Sequence, residues 1–214
     1  MLFRSNPRTF FFDKDRGAEI FIKAIGGEHF FLDPGHETGF NPLQLPDSSE
    51  NRSFLEEWIK SLLATEGMPA LTPEDIDAVH EAVNGNYNLP QKDRRLRNIA
   101  PFMGMGGPGS IASRLAIWHG DGSHAKLFDN AEDRLDFSIA SSFGFEMNDI
   151  LKDKVSIGPV LLYLFHKINL SLDGRPTIII LDEAWALIDN DVFAPKIKDW
   201  LKVLRKLNAI DRKS

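Results

Sequence analysis

The chain has 214 residues, 43% hydrophobic and 26% charged, an ordinary globular composition with room for one α/β domain or a core carrying an inserted subdomain. A net charge of -6 excludes a global nucleic-acid footprint, so DNA contact would need a local basic patch. The absence of cysteine excludes disulfides and thiolate metal sites and fits a reducing compartment. No apolar run approaches the ~20 residues of a bilayer span, and the first residues lack the apolar core of a secretory leader.

Residues 9–13 (Thr-Phe-Phe-Phe-Asp) read as a buried strand ending in a carboxylate, and 30–33 (Phe-Phe-Leu-Asp) as another. Between them a short helix opens at Asp15-Arg16-Gly17-Ala18-Glu19, carries Ile20, Phe21 and Ala24, and is closed by Gly26-Gly27. From about 41 to 120 the pattern turns helical. Phe54, Leu55, Trp58, Ile59, Leu62 and Leu63 form one amphipathic stripe ended by Gly67. Thr72-Pro73-Glu74-Asp75 starts the next helix, whose face of Ile76, Val79 and Val83 runs to Gly85. Leu96 and Ile99 mark a helix bent at Pro101, and Ile111, Leu115 and Trp118 a further one.

Strand character returns at 125–129 and between 135 and 145, and the apolar run 160–168 reads as a buried helix. Thr177-Ile178-Ile179-Ile180-Leu181 then forms an unbroken aliphatic string suited to a strand buried on both faces of a parallel sheet. Phe193, Ile197, Trp200, Leu201, Leu204 and Leu207 repeat at helical spacing, opposite a face of Lys198, Lys202, Arg205 and Lys206. The predicted architecture is α/β, with a mainly parallel sheet split by an all-α insertion. Residues 1–40 form the first part of the core, 41–120 the insertion and 121–214 the second part.

The string at 177–181 ends in Asp182-Glu183, at the carboxyl end where parallel sheets place ligands. This is the form of a Walker B strand, in which Asp182 holds magnesium and Glu183 polarises the attacking water. An ordinary buried strand with a charged end fits the bare pattern equally well. No G-x-x-x-x-G-K-[ST] loop accompanies it. Gly104-Met105-Gly106-Gly107-Pro108-Gly109 has the glycine spacing, but Ser110-Ile111 follow where Lys and Ser/Thr are required, and the preceding residues are helical. It reads as a flexible connector.

Asp13, Asp15, Arg16 and Glu19 read as a capped helix start with an Arg16–Glu19 pair, and their place at a strand end leaves a nucleotide-sensing role open. Asp129, Asn130 and Asp133 could bind a metal, although turn chemistry explains them equally. His119 and His124 lack zinc-pair spacing, and no G-x-S-x-G elbow is present. Arg205 on the basic helix face is either solvated or turned toward a neighbouring subunit's nucleotide.

Several ordered blocks together resemble one family. They are Phe11-Phe12-Asp13-Lys14-Asp15-Arg16-Gly17-Ala18-Glu19, Leu127-Phe128-Asp129-Asn130, Pro159 through His166, Asp173 through Trp185, and Phe193 through Leu201. The family is the VirB/TrbE/CagE group of type IV secretion and conjugation ATPases, and the resemblance covers nearly the whole chain. It implies a RecA-like P-loop NTPase core using ATP and magnesium, with Asp182 the magnesium-associated Asp and Glu183 the catalytic Glu. It also implies an oligomer at the cytoplasmic face of the bacterial inner membrane, held there by channel components, that energises channel or pilus assembly and substrate transfer. In the family a phosphate-loop strand and helix precede the first block, and a strand bearing a nucleotide-sensing Gln follows the segment like Leu204-Arg205-Lys206-Leu207-Asn208. Both ends therefore read as cut, and the chain alone is expected to be inactive. Two other readings stay open: a non-catalytic interaction module of the secretion apparatus, and part of a DNA-pumping motor of the FtsK/HerA kind.

Overall fold

The computed structural model describes residues 7–64, 67–182 and 209–213. The chain divides into two compact units, one of residues 1–32, 136–154 and 164–214, the other of 33–135 and 155–163.

The first unit is built on five parallel strands: β1 (Arg8–Asp13), β2 (Glu28–Phe31), β3 (Ser142–Glu146), β4 (Thr177–Leu181) and β5 (Ala209–Lys213). Their order is β2-β3-β1-β4-β5. Register places Phe10 beside Phe143 and Ile179, and Phe12 beside Phe145 and Leu181, so these side chains share one face. Phe10 and Phe143 stack at 5.6 Å, Phe12 and Phe145 meet at 5.2 Å, and Phe137 inserts edge-on at 4.8 Å from Phe10. Phe165, on the helix α8 (Ile157–Ser171), seals this face against Phe12. The opposite face carries Thr9, Phe11, Ile178 and Ile180, all only half-buried.

The turn into β4 fixes its register with β1. Asp173 accepts the Arg175 N–H at 3.1 Å and its Nε at 2.8 Å, which holds the Asp173 carboxyl down at about 2. The Arg8 N–H then donates to the Pro176 carbonyl at 3.0 Å. The helix α1 (Glu19–Ala24) buries Ile22, while Ile20 and Phe21 are 83% and 63% exposed, so the apolar run there is not a core stripe. The strand expected over 30–33 lies at Glu28–Phe31, and β5 is a strand that composition did not announce. The helix read over 193–207 lies outside the described residues.

The second unit is helical among its described residues. It contains α2 (Ser49–Leu63), α3 (Pro73–Asn88), α4 (Leu96–Ile99), α5 (Ile111–Leu115) and α6 (Ala125–Phe128). Short 3-10 turns follow α4 and α5. Thr72 caps α3 in a reciprocal box with Asp75. Two expectations fail here. The helix α3 runs through Gly85, because the Phe102 ring occupies the place of a side chain there; a Cβ would lie 2.3 Å from Cζ. Residues 125–129 form a helical turn rather than a strand. Leu127 and Phe128 are both buried, with Phe128 packed against Trp58 at 5.1 Å and Trp118 at 6.0 Å, and no alternating strand buries adjacent side chains on one surface.

The helix α7 (Asn148–Lys152) follows β3 in the first unit. None of the helices among the described residues is long and apolar enough to cross a membrane.

Thr72→Ala should lower the unfolding free energy by about 1 kcal/mol, because α3 loses its N-cap acceptor. Thr72→Ser should retain most of it, as read from denaturant unfolding of both variants.

Candidate functional site at the carboxyl edge of the sheet

Parallel pairing brings every strand's carboxyl end to one edge, and three of the strands deliver a carboxylate there. Asp13 ends β1, Glu146 ends β3, and Asp182 follows β4. The ladder continues past the strand ends. The Asp182 N–H donates to the Phe12 carbonyl at 2.9 Å, and the Met147 N–H to the Asp13 carbonyl at 2.9 Å.

Asp13 and Glu146 are direct register partners, and both are buried. Each is held by main-chain donors. Asp13 accepts the Ala18 N–H at 2.7 Å; Glu146 accepts the Arg16 N–H at 2.6 Å and the Asn148 N–H at 2.9 Å. Burial is the largest influence raising the Asp13 carboxyl above its ordinary range. Glu146 and Asp182 add to it, and the Ala18 N–H and His29 oppose it. His29 projects from β2 toward Gly144, where a Cβ would lie 2.5 Å from the imidazole Cδ2. Both its ring nitrogens are buried without a hydrogen-bond partner, and burial pushes its pKa down.

The clamped turn, residues 14–18, contains two successive left-handed non-glycine residues, Asp15 at φ 63 and Arg16 at φ 58. Each costs on the order of 1–3 kcal/mol and persists only where its surroundings over-determine it. Two charge-assisted hydrogen bonds supply that determination. The expected Arg16–Glu19 pair is not formed. Glu19 instead binds Lys23 at 2.7 Å, and the Arg16 guanidinium lies over the Phe31 ring at 4.8 Å.

The other candidates resolve into structural roles within the helical unit. Asp129 accepts from the Arg97 N–H, Arg97 Nε and Gly120 N–H, and Asn130 donates to the Phe40 carbonyl. Asp133 accepts from the buried Tyr163 hydroxyl. The glycine segment at 104–109 is a connector, since Ser110, standing where a phosphate-loop Lys would be, caps α5 by accepting the Ser113 N–H at 3.2 Å. Glu183 and Arg205 lie outside the described residues.

No group of three His, Cys, Asp or Glu that could hold a metal occurs among the described residues. A magnesium ion needs only one or two protein carboxylates, its other ligands being phosphate and water oxygens, and the half-buried Asp182 at a strand end fits that demand. Sequence reasoning missed Glu146 and His29. Glu146 had a readable signal, a carboxylate closing the apolar run Phe143-Gly144-Phe145; His29 had none.

No protein-family model matches the chain. It is 36% identical over 209 residues to the type IV secretion system protein VirB4 of Bartonella quintana, covering 97% of this chain and 26% of that protein. It is 35% identical over 212 residues to PtlC of Bordetella pertussis, covering 94% and 25%. Over nearly its whole length the chain is a homologue of these VirB4-type secretion proteins. It spans about a quarter of the length of these relatives. Among solved structures it is similar to VirB4 of Thermoanaerobacter pseudethanolicus, with a TM-score of 0.69 at 18% identity, covering 95% of this chain and 85% of that one. It is also similar to the bacterial conjugative coupling protein TrwB, with a TM-score of 0.56 at 11% identity, covering 99% and 56%. The fold is therefore the α/β fold of these solved VirB4 and TrwB structures, built on a parallel sheet.

A group whose pKa is raised on folding gives stability present at low pH and lost as pH rises through the folded value. Asp13→Asn keeps an acceptor for Ala18 while removing the ionisation. The midpoint difference, variant minus parent, should thus grow more positive from pH 4 to pH 7 in thermal unfolding followed by circular dichroism.

Proposed function

We propose that this chain supplies the Walker B part of an ATP-hydrolysing core in a type IV secretion motor, with Asp182 anchoring magnesium-nucleotide and Glu183 acting as catalytic base. The observation that carries this reading is the emergence of Asp182 from β4 at the carboxyl edge of an all-parallel sheet, between β1 and β5. The family's relatives act in type IV secretion by name, and a TrwB structure contains a non-hydrolysable ATP analogue, at a TM-score of 0.50. These support a nucleotide site in the same fold.

Asp182 would hold magnesium, which would supply positive charge for the phosphates. The part of this chain is positional. Asp182 follows a strand end whose backbone is fixed by its own N–H donating to the Phe12 carbonyl, which sets where the residue leaves the sheet. Glu183, the next residue, would hold and polarise water. The sequence contains no phosphate loop, so the core must be completed by a segment that brings one. The half-buried Phe11, Ile178 and Ile180 offer an apolar seat for such a segment's helix. Working subunits would be an oligomer bound peripherally to inner-membrane channel components, on the cytoplasmic side. The helical unit is the inserted subdomain of this motor.

The 214-residue chain by itself should release phosphate from ATP no faster than a buffer blank, since β- and γ-phosphates lack a preorganised cradle. Joined to the phosphate-loop and Gln-bearing segments of a related subunit, it should hydrolyse ATP. In that completed enzyme Asp182→Ala should weaken magnesium-nucleotide affinity. Glu183→Gln should leave the dissociation constant nearly unchanged and lower turnover by ~10²-fold or more. Equal, small effects from the two substitutions would return the chain to an interaction module.

A further inference from the structure

Gly144 leaves a hole in the face of β3, and side chains from two neighbouring elements fill it. A Cβ there would lie 2.5 Å from the His29 Cδ2, 3.3 Å from its Nε2 and 3.4 Å from the Ile22 Cγ1. Ile22 is the buried residue of α1, so the helix rests on the sheet through a side chain whose seat adjoins the imidazole. The backbone adds ties at both ends of α1: the Ala18 N–H donates to Asp13 at 2.7 Å, and the Gly27 N–H to the Ile22 carbonyl at 2.9 Å.

The imidazole is enclosed. Phe31 meets it edge to face at 5.0 Å, and both ring nitrogens are buried without a hydrogen-bond partner. A neutral ring bears that at the cost of unmade hydrogen bonds, whereas an imidazolium brings a charge and two N–H donors to a place with no acceptor. The charges facing it are Glu19 and Lys23 of α1, Asp13 at the end of β1 and Glu146 at the end of β3. Each carboxylate already has a donor: Lys23 for Glu19, the Ala18 N–H for Asp13, and the Arg16 and Asn148 N–H groups for Glu146. Arg16 extends over Phe31, and so adds no acceptor either. Burial outweighs the pull of the three carboxylates and holds the His29 pKa below its ordinary 6.5.

We propose that His29 is a proton-operated latch for the β2 edge of the sheet. Neutral, it fills the Gly144 hole beside Ile22 and keeps α1 seated. Protonated, it leaves that seat for solvent, and α1 loosens together with the strained turn before it. The sign follows from the lowered pKa of a base. The closed form gains its full share of stability above about pH 6.5 and loses it as pH falls through the closed-state value. The latch is independent of the proposed nucleotide site.

Amide hydrogen exchange of the 214-residue chain reads the latch directly. From pH 7 to pH 5.5, protection of the Ile22 and Gly27 amides, corrected for intrinsic exchange, should fall ~3–8-fold, a ceiling set by an open-state pKa near 6.5. The Val79 and Ala82 amides of α3 should keep their protection, and the His29 Cε1 proton should titrate below 6.5. His29→Leu and His29→Gln remove the charge with an apolar and a polar side chain in turn, and each should flatten the response. Protection at α1 that is unchanged or raised in acid overturns the inference. So does a fall shared by α3, a fall that persists in a folded His29 variant, or a His29 resonance titrating at or above 6.5.

Discussion

Parallel pairing of β1 with both β3 and β4 is the constraint on which the rest of the molecule depends. It sets Asp13, Glu146 and Asp182 at one edge, because parallel strands all finish on the same side. It also aligns Phe10, Phe12, Phe143, Phe145, Ile179 and Leu181 on one face, where an aromatic layer and α8 exclude water. The site and the core are thus two consequences of one register. A slip of one residue would exchange the faces and bury the half-exposed set instead.

The same register creates an electrostatic problem at the edge. Two carboxylates in direct cross-strand partnership repel one another, and burial penalises charge on Asp13. The chain relieves this with main-chain N–H groups, from Ala18 to Asp13 and from Arg16 and Asn148 to Glu146. Supplying two of those donors forces the turn into left-handed geometry at Asp15 and Arg16. Local strain and buried charge therefore offset each other, and neither is intelligible without its partner. A turn held at this expense beside a ligand edge is the pattern expected where geometry matters more than stability.

Much of this was legible in residue order, and the failures share a cause. β1, β4, the α3 cap and the buried helix over 160–168 announce themselves locally, through aliphatic runs and a Thr-Pro-x-Asp start. The helical turn at 125–128 did not, because adjacent Leu127 and Phe128 are both buried, Phe128 against distant Trp58 and Trp118. Gly85 looked like a terminator since its reason, the Phe102 ring, lies seventeen positions on. Asp182 was visible as a strand end. Glu146 and His29 belong to the same edge only through pairing across more than a hundred residues, which no spacing within a segment encodes.

Handedness adds one further argument about how this sheet is used. The β1-to-β2 connection moves toward the β2 edge and carries α1, whose Ile22 packs near Gly144 on one face. The β3-to-β4 connection moves the opposite way and carries α8, whose Phe165 packs on the other face. Right-handed crossovers require that segregation. A strand pairing outside β5 and leading into β1 would travel in the same direction as the first connection. Its helix would therefore fall on the α1 face, over Phe11, Ile178 and Ile180, which with Thr9 are the β1 and β4 side chains left half-covered. Any segment that brings a phosphate loop to the Asp182 side of this sheet by that route completes the second apolar layer in the same step. Binding chemistry and burial would then be satisfied by a single element, since a parallel sheet is stable only with both faces covered.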